Sequence, residues 1–127
     1  MTKEDLRERL TIFAVRIVKM VDSMPSTVAS LAIARQIVRS GTSPSANYRA
    51  ACLAKSDKDF VNKLKMVEEE LDETNHWIDI IIRASIMPQN KMLDLFDESR
   101  ELLSIISKTI VTTKARMAAE SKENKSK

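Results

Sequence analysis

The sequence predicts an all-α protein, an antiparallel up-and-down four-helix bundle whose second helix is broken or kinked near Gly41–Pro44. Three observations predict it. Apolar residues recur at steps of three and four through four separate stretches. The composition is 43% hydrophobic but only 4% aromatic, with one Gly and three Pro, which suits helices packed by Leu, Ile, Val and Met. Breakers are few and the links between stretches short, so consecutive helices become antiparallel neighbours. A chain of 127 residues is the size of one domain with its own core.

The first stretch runs from Lys3 to Met24, with Leu6, Leu10, Phe13, Ile17 and Met24 on one face and Met20 or Val21 in the remaining slot. Pro25 disfavours helical geometry at Met24, and Ser26 or Thr27 can cap a second helix starting near Val28. Leu31, Ile33, Ala34, Ile37 and Val38 then cover a wide arc, as burial against more than one neighbour requires, while Arg35 and Arg39 mark an exposed row. In "RSGTSPSANYR", Pro44 suits the first turn of a helix and Thr42 or Ser43 its cap, so the expectation is a break with immediate restart. The Ala46, Asn47, Ala50, Ala51 and Ala54 that follow offer a small-residue surface for close helix approach, and a buried Asn47 requires a polar partner.

Ser56 precedes the clearest helix, in which Phe60, Leu64, Val67, Leu71, Thr74, Ile78 and Ile81 alternate steps of four and three like a heptad seam, running to about Ile86. Met87-Pro88-Gln89 interrupts it. Met92, Leu95, Phe96, Ser99, Leu102, Leu103, Ile106, Ile110, Thr113 and Met117 form the fourth stripe, which completes a bundle over residues 1–118. Residues 119–127 end in "ESKENKSK", without a large apolar residue, and are expected to be a disordered basic tail.

Several function classes find no support. The apolar runs are far shorter than the roughly 20 residues of a membrane span, no secretory leader pattern opens the chain, and the lone Cys52 has no intramolecular disulfide partner, so a cytoplasmic location is expected. A phosphate-binding loop requires a second Gly and a preceding strand. Glu73-Thr74-Asn75-His76 has the E-x-x-H spacing of di-iron bundles, but His76 is the only His and Thr74 takes the core-facing position. Cys52 has no paired His, and Tyr48, Phe60 and Trp77 are too scattered for a base-stacking platform. The expectation is a protein that is not an enzyme and uses neither cofactor nor metal.

Charge is distributed unevenly. Residues 1–113 hold 16 basic and 16 acidic side chains, so the formal net charge of +3 comes from the last fourteen residues. Residues 23–56 hold four basic side chains and no acid, whereas residues 57–82 hold eight acids and three bases. Two readings stay open. Arg35, Arg39, Arg49 and Lys55 either neutralise Glu70 and Glu73, within the bundle or across a subunit boundary, or form a phosphate-contacting surface.

The segments "SGTSPSANYRAA", "SDKDFVNKL" and "EEELDETNHWI" resemble the bacterial four-helix bundle family that includes proteins encoded in intervening sequences of 23S ribosomal RNA genes. The resemblance is carried by Ser40, Gly41, Ser43, Ala46, Asn47, Ala51, Ser56, Asp59, Phe60, Lys63, Leu64, Glu70, Glu73, Thr74 and Trp77, and extends from about Leu31 to Ile82. Pro44 stands where the family has an apolar residue and Ala50 where it usually has Glu. The resemblance implies an up-and-down bundle subunit, commonly assembled as a homopentamer. It also implies kinship with accessory proteins of diversity-generating retroelements, which associate with a reverse transcriptase and nucleic acid. The expected function is therefore nucleic-acid association, RNA foremost and DNA next, with Arg35, Arg39, Arg49, Lys55, Lys114 and Arg116 as candidate contacts. The alternative is an adaptor that docks a protein partner such as a reverse transcriptase or polymerase.

Overall fold

A computed structural model describes residues 1–126 as four helices: α1 (Lys3–Asp22), α2 (Val28–Cys52), α3 (Asp57–Arg83) and α4 (Gln89–Ser126). Each packs on the next, α1 meets α4 more sparingly along the fourth edge, and the backbones of diagonal pairs stay apart, which is an up-and-down bundle. The first three N-termini are capped. Thr2 and Asp5 form a reciprocal capping box on α1, Thr27 caps α2 through Ser30 N, and Ser56 caps α3 through Asp59 N.

The apolar stripes become the core. Leu6, Leu10, Phe13 and Ile17 on α1 meet the α3 heptad residues and Met92, Leu95, Leu102, Ile106 and Ile110 of α4 in one buried cluster. α3 ends at Arg83, three residues before the expected Ile86, because Ser85 adopts a left-handed conformation (φ 55°). The Ser85 and Ile86 amides then donate to the Ile82 and Ile81 carbonyls, which satisfies two of the helix's terminal acceptors.

Two expectations are corrected. α2 is unbroken through Gly41–Pro44, with Pro44 buried in its interior. Thr42 and Ser43 do not cap a new helix: their hydroxyls donate back to the Val38 and Arg39 carbonyls at 2.6 and 2.7 Å. An interior Pro removes one backbone bond and costs about 3 kcal/mol. The helix survives because core residues lie on both sides of it, Ile37, Ser40 and Gly41 before and Tyr48 and Ala51 after. The second correction is the tail: α4 continues as helix through residues 119–126, making it the longest of the four at 38 residues. Ala118, Ala119, Glu120, Lys122, Glu123 and Lys125 are strong helix formers, no Gly or Pro intervenes, and Arg116 pairs with Glu120 one turn on at 3.8 Å. Lys127 lies outside the described residues.

Gly41 serves close approach and not a turn. A Cβ there would lie 2.8 and 2.9 Å from the two γ carbons of Ile17, so the bare backbone of α2 seats an α1 side chain. On the open edge, α1 and α4 are joined by long side chains. Arg9 Nη2 lies 2.6 Å from Glu98 and 3.0 Å from Glu101. The Arg9 guanidinium holds the Glu98 carboxyl below its ordinary value of 4.5.

Two outcomes follow. Gly41→Ala gains about 1 kcal/mol of helix propensity but overpacks Ile17, at a cost of about 1–3 kcal/mol. Chemical denaturation should show net destabilisation in the native background and net stabilisation when Ile17 is Ala. Glu98, with its folded pKa depressed, contributes stability that is complete above its ordinary value and is lost as pH falls through the lower folded one. Unfolding free energies measured from pH 6 down to pH 2 should therefore fall less steeply in Glu98→Gln than in the native protein.

Candidate nucleic-acid interface

The basic second helix and the acidic third face each other, and part of their charge is used there. The Arg39 guanidinium pairs with Glu73 Oε2, which also accepts from Trp77 Nε1 at 3.0 Å. Asn47 Nδ2 donates to Glu70 Oε1 at 2.7 Å, supplying the polar partner that a half-buried amide requires. Between these contacts the fully buried Ser40 and Thr74 hydroxyls lie 2.9 Å apart in a hydrogen bond. Of the two readings left open by sequence, neutralisation is thus what Arg39 does.

Most of the family-pattern residues belong to this seam or to its approaches. Ser40, Gly41, Asn47, Glu70, Glu73 and Thr74 join α2 to its neighbours, and Trp77 bonds Glu73 from the next turn of α3. Ser43 bonds its own helix and Ala46 is exposed on α2. Asp59 sits in the capped first turn of α3, and the Phe60 ring lies 4.6 Å beneath the Lys3 ammonium. The E-x-x-H pair does not converge: Glu73 is turned to Arg39 and Trp77, while His76 is exposed beside the Trp77 ring. Among the described residues, no three His, Cys, Asp or Glu side chains cluster in a way that could hold a metal ion.

The remaining basic candidates fall into three places. Arg35 and Arg49 are exposed on the outer face of α2, about 20 Å apart at 1.5 Å per residue, and no described acid pairs with either. Lys55 is exposed beyond the end of α2, at the same end of the bundle as Arg116. Arg116 donates to Asp57 at 2.7 Å. Lys114 stands against Lys65 of α3, and the adjacent ammonium lowers the Lys114 pKa. The six residues therefore do not form one patch.

Two features escape sequence reasoning. The first is a cavity of about 810 Å³ at the end of the bundle where α1 and α3 begin, with Lys3, Lys55, Lys108 and Arg116 among its lining residues. The second is a set of exposed apolar side chains, Ile12, Val15 and Val18 on the outside of α1 and Val28 and Leu31 at the start of α2. Both depend on the relative register and rotation of helices. A helical wheel does hint at the second, since Val15 lies opposite the Leu6–Leu10–Phe13–Ile17 stripe. No described helix is long and apolar enough to cross a membrane.

No curated protein matches the chain. Among solved structures, it is similar to the crystal structure of a protein of unknown function from the S23 ribosomal protein family of Bacteroides thetaiotaomicron VPI-5482. That match has 31% identity and a TM-score of 0.80, and covers 87% of this chain and 98% of the other. Residues 5–108 match the sequence profile of the 23S rRNA-intervening sequence proteins, taking in α1, α2, α3 and half of α4. With the profile spanning most of the chain, and an independent structural match at this identity, the protein belongs to the 23S rRNA-intervening sequence protein family.

Proposed function

We propose that this protein is a non-enzymatic, self-associating bundle that binds the phosphate backbone of nucleic acid, RNA foremost, through the outer face of α2. The observation that carries the reading is the pair Arg35 and Arg49, exposed on a helix that contains no acidic residue and matched by no described carboxylate. Arginine forks suit phosphate oxygens, and a surface without base-stacking rings reads backbone and not sequence. Arg39 lies between them and keeps its ion pair with Glu73, so it shapes the surface more than it contributes free charge. The names of the family and of the Bacteroides relative, both tied to ribosomal RNA or the ribosome, agree with RNA as the first ligand to test.

Self-association is supported by the exposed apolar side chains of α1 and α2. Val15, Val18 and Leu31 remain 48%, 42% and 45% exposed in the single chain. These side chains lie on two helices that pack on each other, and apolar surface shared between neighbouring helices suits a contact surface. A homopentamer would repeat the α2 arginines five times and raise avidity for one polyanion. The same patch also favours the second reading, an adaptor that docks a protein partner such as a reverse transcriptase or polymerase.

Light scattering should return a multiple of the 14.4 kDa chain mass, and Val15→Lys with Leu31→Lys should reduce it to the single chain. A native mass of one chain would exclude the assembly. Filter binding to a structured RNA should weaken steeply with salt, and the double change Arg35→Glu, Arg49→Glu should lower both the low-salt affinity and the salt slope. Absence of binding at low salt would reject the nucleic-acid reading; recovery of a specific protein after nuclease treatment would then favour the adaptor.

A further inference from the structure

The cavity at the end of the bundle where α1 and α3 begin takes lining residues from all four helices, and what it offers a ligand depends on which of them are accessible. Leu6, Tyr48, Ala51 and Phe60 are only 1% to 9% exposed, and the Lys3 ammonium lies over the Phe60 ring. Neither an aliphatic chain nor a nucleobase finds a free surface there. The exposed lining is polar and cationic: Lys3 at the start of α1, Lys55 in the link from α2 to α3, and Lys108, Thr112 and Arg116 on α4. The last three recur at steps of four, which sets them on one face of α4, with a hydroxyl between two cations about 12 Å apart.

Four cations thus line the opening with one carboxylate, Asp57, which Arg116 already engages. The other acids of the two helix starts, Glu4, Asp5 and Asp59, are not among the lining residues, and Asp5 is held in the capping box. Lys3, Lys55 and Lys108 have no described ion-pair partner. Ammonium groups gathered around one space repel each other, and a ligand with several negative charges removes that repulsion. Lysine meets phosphate as a point charge on a flexible stem, whereas a planar carboxylate is matched best by the arginine fork. Three lysines on separate elements therefore suit phosphate groups in a row.

We propose that this end cavity binds a run of linked phosphate groups, held among Lys3, Lys55 and Lys108 with Thr112 and Arg116 on the α4 wall. A free oligophosphate and a stretch of nucleic-acid backbone present the same chemistry. The site is distinct from the α2 arginines, and its binding of a free oligophosphate does not depend on the nucleic-acid reading.

The test titrates the full chain with tripolyphosphate by calorimetry at low salt. One saturable site per chain is expected, weakened by added salt and tighter than for citrate, which carries its charge on planar carboxylates. The combined change Lys3→Gln, Lys55→Gln, Lys108→Gln, at exposed positions, should weaken binding about tenfold with unchanged helical circular dichroism. Lys19→Gln with Lys91→Gln, exposed near the end of α1 and the start of α4, should leave binding unchanged. The Arg35→Glu, Arg49→Glu protein should keep the tripolyphosphate site, which separates failure of this proposal from failure of the α2 reading. If the triple change also lowers RNA affinity, the phosphates come from RNA backbone; if it leaves RNA affinity intact, the ligand is a free oligophosphate, and both outcomes accord with the site. No saturable binding at low salt, citrate bound as tightly as tripolyphosphate, or full binding in the triple variant would overturn the proposal.

Discussion

The bundle depends on α2 lying close to two neighbours at once. Its backbone is bare at Gly41, where Ile17 of α1 is seated, and one residue earlier the buried Ser40 hydroxyl meets Thr74 of α3. Consecutive residues on a helix point about 100° apart, so Ser40 and Gly41 address different helices from one turn. A larger residue at either position would push α1 or α3 away and open the core that both share. The interior Pro44 is tolerated for the same reason: packing on both sides holds the helix through a residue that would end it in isolation.

Charge follows from this close packing. Bringing α2 against α3 places an acid-free helix beside an acid-rich one, and the contacts nearest the seam, Arg39 with Glu73 and Asn47 with Glu70, become orienting bonds. Charged groups that hold helices together are poor candidates for ligand recognition, because freeing them leaves a partner unpaired. What remains for recognition is the charge that the fold does not use, on the outer face of α2 and around the cavity at the bundle end. A net charge of +3 is silent about this division.

Much of the fold was legible from periodicity alone. The heptad seam of α3 is buried at every expected position, and the stripes of α1 and α4 supply most of the rest of the core, joined by Ile37, Tyr48 and Ala51 of α2. Caps at Ser26 or Thr27 and at Ser56 were legible because such side chains bond only a few residues along the chain, and the structure selects Thr27 of the first two. Where local rules misled, at Thr42-Ser43-Pro44 and in the last eight described residues, the sequence carried two competing local signals. Hydroxyls beside Pro can cap a helix or bond back to it, and a run of Lys and Glu interspersed with Ser and Asn can be an uncollapsed tail or an exposed helix.

The sequence by itself determined the helical class, the number of helices, the core face of each and the family pattern, because these rest on spacing within one segment. Only the tertiary structure decided which arginines are consumed, which apolar residues stay bare, and that a cavity opens at the end of the bundle where α1 and α3 begin. Those properties depend on the register and rotation of one helix against another. Register and rotation are set by contacts between residues far apart in the chain, Gly41 with Ile17, Arg9 with Glu98 and Asp57 with Arg116, which no periodicity within a segment encodes.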